Sequence, residues 1–452
     1  MSEWTERPEL ATYLTRQRWF SGADSEVVVH EVRTLDWLND PATGLGVRFE
    51  FVTTGSGGVL TTYNVPLSYR LEVREDLSSG FVGVDASGDA VFYVYDALHD
   101  PEARRVLLAG FSGDPVETAA LEAETTGGIE YGRLGDFALE RDPDTVLLGA
   151  EQSNTSVIAG DALVKFFRKL MPGRNPDIEV QEALTLVNSE EISPLLGWIS
   201  SGDVDLAMVG AYQRSATDGW DSARASVRAL QDDDIRARDA GGDFAGESER
   251  LGVTLALVHD QMRQLLPVDT WGRNQLAELV ARLNARLDAA AAVYPSLQEG
   301  YADRVRAAYD RINLDSPLRV QRVHGDFHLG QTLRTTAGWK IIDFEGEPSQ
   351  QREDRIRLDS VVRDIAGMLR SLDYAAHSVS IALGGADSEH AEDWVSRNRS
   401  AFLRGYGLEP STATEALLRA YEIDKAVYEV VYEINHRPDW TTIPLRALDR
   451  LL

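Results

Sequence analysis

Two short polar segments hold the residues best able to do chemistry. They are His324-Gly325-Asp326-Phe327-His328-Leu329-Gly330-Gln331 and Ile341-Ile342-Asp343-Phe344-Glu345. Each follows a short apolar stretch. Asp326 and Asp343 stand 17 positions apart, so a hairpin-like return over Arg334–Gly338 brings both carboxylates to the same end of paired strands. Phosphoryl transfer from ATP needs such an arrangement. One carboxylate orients the acceptor hydroxyl and takes its proton, and a second, with an amide oxygen, holds magnesium on the β- and γ-phosphates. Asp326 fits the base, and Asp343 and Gln331 fit the metal ligands. Gln331 follows Asp326 by five positions, the offset of the Asn in a kinase catalytic loop. Taken singly, either aspartate reads equally as a turn former at a strand end; the two half-motifs together favour chemistry. His324 and His328, four apart, are spaced like the ligand pair of a zinc helix. The internal Glu of that motif is missing, however, and Gly325 disfavours a helix.

A kinase also needs a cation for the phosphates on an upstream strand. Asp161-Ala162-Leu163-Val164-Lys165-Phe166 supplies Lys165, placed like the Lys of a Val-Ala-Ile-Lys pattern. Glu179 or Glu182, on the helix expected after Pro176, is its natural partner. Just before that strand, Glu151–Ser156 occupies the place of a phosphate-binding loop without any glycine. Ser153, Asn154 and Thr155 offer hydroxyls and backbone N–H groups there. The strand Val204–Tyr212 leads to a hinge in which Gly210, Ala211 and Tyr212 could meet an adenine edge. Near the C-terminus, Lys425, Tyr428 and Tyr432 share one helix face at about 100° per residue, with Tyr421. Such a stripe suits a carbohydrate, rings covering its apolar face and polar tips binding its hydroxyls; it also suits a buried amphipathic helix.

The elements that must position these residues follow an informative order. A helix over Pro8–Trp19 precedes alternating segments at Glu26–Val32, Gly46–Thr53, Val59–Val65 and Val91–Tyr95, which read as antiparallel strands. Further strands are expected at Thr145–Leu148, Ser156–Ala159, Ala162–Phe166 and Leu195–Ile199. From about Trp220 helical periodicity dominates, over Arg250–Leu266, Asn274–Val293, Tyr301–Arg311 and most of the chain beyond Asp359. Two short strands, Arg319–Val323 and Lys340–Ile342, interrupt it.

Composition narrows the classes further. The chain has 452 residues, 45 Lys and Arg against 73 Asp and Glu, and no cysteine. Thiol catalysis, disulfides, cysteine-bound zinc and iron–sulfur clusters are therefore excluded. A net charge of −28 argues against nucleic acid and anionic membrane surfaces as partners. The opening Met-Ser-Glu-Trp-Thr-Glu lacks a basic region and an apolar stretch. No apolar run approaches the ~20 residues that span a bilayer. The expectation is a soluble, cytoplasmic enzyme.

These residues, with Leu14–Phe20, Lys165–Arg168, Ala216–Trp220, Asp343–Pro348, Arg363–Arg370 and Asp424–Tyr432, resemble the actinobacterial maltokinases. These are relatives of the aminoglycoside phosphotransferases. The resemblance implies an α+β, bilobal protein-kinase-like fold. It has an N-terminal cap domain (1–90), a β-rich N-lobe (91–210) and a helical C-lobe (211–452). It implies ATP and Mg2+ as cofactors and phosphorylation of maltose at its anomeric hydroxyl, feeding glycogen and α-glucan synthesis. Association with a trehalose synthase-type enzyme belongs to the same picture. On this basis Asp326 is the base, Gln331 and Asp343 hold the metal, and Lys165 meets the phosphates. Lys425, Tyr428 and Tyr432 bind the sugar, and His324 and His328 lie close to it. Asp364 braces the catalytic loop, a role His324 could share. The charged segment Ser349–Asp359 departs from the family pattern, and a related group phosphorylates glucosamine. That group shares the Arg437-Pro438-Asp439-Trp440 pattern but lacks the Arg16–Trp19 element. A kinase for another sugar such as glucosamine, and a catalytically silent kinase-like binding module, are the alternatives.

Overall fold

The structure is a computed structural model. It describes residues 8–452 except 21–26, 57–58, 87, 89, 114–122, 127, 150–152, 234–235, 241, 348–349, 351 and 385–387. The chain divides into two units. One comprises residues 1–182 and 194–214, the other residues 183–193 and 215–452.

The first unit is built on two antiparallel sheets. Five strands lie in the order Val28–Thr34, Leu45–Ser56, Val59–Arg70, Phe92–Asp96, Phe81–Asp85. The second sheet has seven, in the order Ala123–Thr126, Ile129–Arg133, Leu195–Ser201, Val204–Ala211, Ala162–Phe167, Asn154–Ala159, Thr145–Leu147. Strands rich in Val, Phe and Ile, which alternate faces with period two, supply the core. Val47, Phe49 and Phe51 of the first sheet join Val157, Val164 and Val209 of the second in one buried cluster. The expected first helix is shorter than its pattern, Pro8–Thr15. The helix Pro101–Leu108 was not foreseen. Asp100 caps it by accepting the N–H groups of Glu102 and Ala103, as N-cap aspartates do.

The second unit is mainly helical. Its long members are Gly219–Asp233, Ala245–Leu265, Arg273–Val293, Val362–Ala382, Ser388–Tyr406 and Thr412–His436. Leu276, Leu279, Leu283 and Leu287 pack with Ile423, Val427 and Val430, the i, i+3, i+4 stripe expected of facing amphipathic helices. Set among them are small sheets. Thr332–Thr335 and Gly338–Ile341 form an antiparallel hairpin in which Thr332 faces Ile341. Leu318–Gln321 pairs with Val268–Trp271. The chain is thus α+β, with a β-rich N-terminal unit and a helical C-terminal one. Among the described residues no helix is long and apolar enough to cross a membrane.

Candidate active site

The hairpin Thr332–Ile341 joins the two polar segments at its base. Gln331 accepts the Ile342 N–H through its carbonyl (3.1 Å), and its side-chain Nε2 donates to Asp343 Oδ2 (2.9 Å). Asp343 has φ of 67°, in the left-handed region that non-glycine residues enter at a cost and that clusters at functional sites. An oxygen-bearing amide and a carboxylate are thereby placed side by side, a hard donor pair of the kind magnesium takes.

The loop carrying Asp326 is held from behind by helix Val362–Ala382. Asp364, 1 % exposed, accepts the N–H groups of His324 (2.7 Å) and Gly325 (2.9 Å). Its Oδ2 also meets His259 Nε2 at 3.0 Å. Burial alone would raise its pKa; the His259 hydrogen bond and the nearby imidazoles outweigh burial and hold it below the ordinary value. Ser371 Oγ accepts the Leu329 N–H at 3.0 Å. Gly325 takes φ of 86°, which L side chains rarely adopt. At Gly367 a Cβ would stand 2.5 Å from the Phe327 carbonyl oxygen, so a glycine is needed there for the helix to approach the loop.

His324 serves the loop more than any ligand. It is 1 % exposed, with its ring between Phe327 and Phe344. Its Nε2 donates to the Ile342 carbonyl (3.0 Å) and its Nδ1 faces the Asp326 N–H (3.4 Å). Of the two roles expected for it, the geometry favours holding the loop. His328 differs. Its ring is 41 % exposed, with Nε2 4.0 Å from Asp326 Oδ2, and its Nδ1 accepts the Gly330 N–H. Burial lowers its pKa.

Helix Thr412–His436 brings Lys425 to the same place. Its Nζ donates to Asp326 Oδ1 (3.1 Å) and to Glu347 Oε1 (3.3 Å). Burial would raise the Asp326 pKa, but the Lys425 ammonium, aided by His328, outweighs it and holds the carboxyl at about 2. Lys425 is raised in turn, burial being overcome by Asp326 and Glu347. Four basic residues (Arg282, Arg286, Arg363, Lys425) and four acidic ones (Asp326, Glu347, Asp359, Asp424) line one pocket with Gly325 and Tyr421. Tyr421 itself is buried, its hydroxyl donating to Asp359, unlike the exposed member of a sugar-binding stripe. Tyr428 is 41 % exposed and stacks towards Tyr432, which stacks on His436. Three carboxylates of this helix are engaged within the unit: Asp424 by Arg286 (2.6 Å), Glu429 by Arg370 (2.8 Å) and Glu433 by Arg437 (2.7 Å).

In the first unit, Lys165 sits on strand Ala162–Phe167 between Ser156 and Met208. Asp177 meets its ammonium at 3.3 Å, a carboxylate missed in the sequence. The signal was available. Asn175 caps the helix Pro176–Leu186 by accepting the Asp177 N–H (2.8 Å), which fixes Asp177 in the first turn, and Gln181 donates to its other oxygen (2.7 Å). Glu182 pairs instead with Arg174 (2.7 Å). Glu179 lies one position beyond Ile178 in the same first turn. Asn154 and Thr155 begin strand Asn154–Ala159 and are 7 % and 9 % exposed. The Thr155 hydroxyl accepts from Arg168 (2.8 Å), so it is tied into the sheet rather than presented as a loop donor. Ser153 accepts from Asn154 Nδ2 (3.2 Å); Glu151 and Gln152 lie outside the described residues. At the expected hinge, the Ala211 and Tyr212 N–H groups go to the carbonyls of Pro194 (2.9 Å) and Asp161 (2.8 Å). Gly210 is paired with Leu163 and Leu195.

Residues 13–100 match the maltokinase N-terminal cap domain, and residues 229–399 match the phosphotransferase enzyme family. A glucosamine kinase of Streptacidiphilus jiangxiensis is 26% identical over 425 residues, covering 86% of this chain and 92% of that protein. A glucosamine kinase of Mycolicibacterium smegmatis (strain ATCC 700084 / mc(2)155) is 27% identical over 362 residues, covering 75% and 88%. A solved glucosamine kinase, in complex with glucosamine, ADP and inorganic phosphate, superposes with a TM-score of 0.69 at 22% identity, covering 100% of this chain and 99% of that one. The chain therefore shares its fold with that enzyme.

Proposed function

From the premise that this chain joins a maltokinase-type cap to a domain of the phosphotransferase enzyme family, we propose that it transfers the γ-phosphoryl group of ATP to a sugar hydroxyl, with maltose, at its anomeric hydroxyl, as the acceptor. The observation that carries the reading is the joint placement of Asp326 beside Lys425 and of Gln331 beside Asp343 on the two ends of one hairpin. Asp326 is the base. Its carboxylate orients the acceptor hydroxyl and takes the proton as the oxygen bonds to the γ-phosphorus and the bond to the ADP oxygen breaks. Gln331 and Asp343 would hold magnesium, which supplies charge neutralisation on the phosphates. Lys165, braced by Asp177, is assigned to the phosphates. Glu179 and the backbone of Ser153–Thr155 are assigned to the nucleotide side. The backbone around Gly210–Tyr212 is assigned to the adenine edge. His328, Lys425, Tyr428 and Tyr432 are assigned to the sugar.

Charge balance supports a neutral acceptor. The pocket beside Asp326 has as many basic as acidic side chains, and Glu429 and Glu433 are neutralised by arginines. An aminosugar's ammonium would meet no surplus carboxylate and would be repelled by Lys425. A second reading, glucosamine as acceptor, draws on the relatives named for it and on Asp424, whose Oδ1 is buried without a hydrogen-bond partner and lines the same pocket. Release of ADP from Mg-ATP in the presence of maltose, glucose, glucosamine or trehalose tests the proposal. Turnover with maltose is expected. Turnover with glucosamine alone would transfer the assignment to the second reading, and no turnover with any sugar would favour a silent binding module.

A further inference from the structure

Glu347 ends the segment Phe344-Glu345-Gly346-Glu347, and no role above uses it. Its Oε1 lies 3.3 Å from Lys425 Nζ, the ammonium that also donates to Asp326 Oδ1 at 3.1 Å. On its far side, Arg363 Nη2 stands 3.9 Å from Oε2, and Gln350 donates to that same oxygen. Glu347 is therefore anchored, with a side chain only 14 % exposed, and lines the pocket that Asp326 and Lys425 line. Lys425 is shared between two carboxylates, one of them the base.

That sharing bears on the chemistry. An ammonium in contact with a carboxylate stabilises its charged form, so a base that keeps such a partner is reluctant to accept a proton. The acceptor hydroxyl must also reach a carboxylate oxygen of Asp326, and Oδ1 carries Lys425. An ammonium that left Asp326 for water inside this pocket would leave Glu347 and Asp326 as close uncompensated charges. A second carboxylate already in contact removes that obstacle, since the ammonium then exchanges one anionic oxygen for another by a small rotation.

We propose that Glu347 is a positioning residue for the transfer, holding the Lys425 ammonium so that it shifts from Asp326 towards Glu347 when the acceptor hydroxyl takes its place at the base. Glu347 acts only through Lys425 and touches neither nucleotide nor reacting atoms. The inference rests on the reading of Asp326 as the base.

Steady-state kinetics of the full chain test it, with Mg-ATP and the acceptor that gives turnover in the sugar panel. Glu347→Gln is expected to lower kcat roughly tenfold to a hundredfold, the scale of a misplaced catalytic group. The KM for ATP should stay within about twofold, as expected where uniform nucleotide binding is intact. Glu347→Asp, which keeps the charge, should restore a large part of kcat. An unchanged kcat in Glu347→Gln overturns the proposal. So does a loss matched by a lowered melting temperature and not relieved in Glu347→Asp. Asp326→Asn, run alongside, separates the two layers. If it abolishes transfer while Glu347→Gln leaves kcat unchanged, only the positioning role fails. If it retains transfer, the assignment of the base fails and the inference with it.

Discussion

The loop His324–Gln331 and the helix Thr412–His436 reach the same pocket by opposite means. The loop is fixed through its backbone. Asp364 takes two of its N–H groups, Ser371 takes another, and His324 turns both ring nitrogens inward. The helix is fixed through its side chains. Asp424, Lys425, Glu429 and Glu433 each meet a charged partner from another part of the unit or from the next turn. Tyr428 is left to face solvent. A backbone held by a buried carboxylate keeps one geometry, which is what transition-state placement demands. A helix face made of paired charges and an exposed ring leaves affinity and choice of acceptor to a few side chains. On this account the loop determines the reaction and the helix determines the sugar, and substitutions in the two should separate accordingly.

The largest effect should come from Asp326→Asn. Turnover is expected to fall by about 10³-fold, within the range of a lost general base, while calorimetric nucleotide binding persists. Asp364→Ala comes next and should break the loop rather than the helix. It removes a buried acceptor for two N–H groups and for His259, so a loss of about 3–5 kcal/mol is expected in denaturant titration. A loss under about 1 kcal/mol, the ordinary net worth of one hydrogen bond, would show that the loop is held otherwise.

Acid should act at the contact between the two regions. Asp326 sits at about 2 in the folded chain, below the ~3.9 of an unfolded aspartate. Its contribution is thus fully present above about pH 4 and is lost as pH falls through about 2. It amounts to about 2.6 kcal/mol at most. Asp364 is lowered too and adds to the loss in the same direction. Thermal melts between neutral pH and pH 2 should show the decline. Lys425→Met should flatten the Asp326 part of it. The smallest effect belongs to Tyr428→Ala. It should raise the sugar KM severalfold, on the scale of about 1 kcal/mol of ring contact, and leave kcat and the melting temperature nearly unchanged. A fall in kcat instead would blur the division between loop and helix.

The same division marks what the sequence could tell. The two strand-ended aspartates, Gln331 and the intervening return are local features, and the hairpin Thr332–Ile341 bears out that local reading. Lys165 on its strand and the helices of the second half are legible for the same reason, since periodicity and turn residues are short-range signals. The partners were less legible. Lys425 and Asp326 are 99 positions apart, and His259 and Asp364 are 105 apart. No spacing rule encodes such pairs. Asp177 was less legible than Glu179 and Glu182, because three carboxylates lie on that helix and it is the cap at Asn175 that turns the first of them to Lys165. The tying of Thr155 to Arg168 was likewise invisible, since any hydroxyl before a strand reads as a loop donor.

The claim that the pocket beside Asp326 offers its acceptor no surplus negative charge can be tested in a single competition. The protein is given Mg-ATP with maltose and glucosamine at equal concentration, and the phosphorylated products are identified by mass. Phosphomaltose as the dominant product is the predicted result. Glucosamine phosphate as the dominant product would contradict the account.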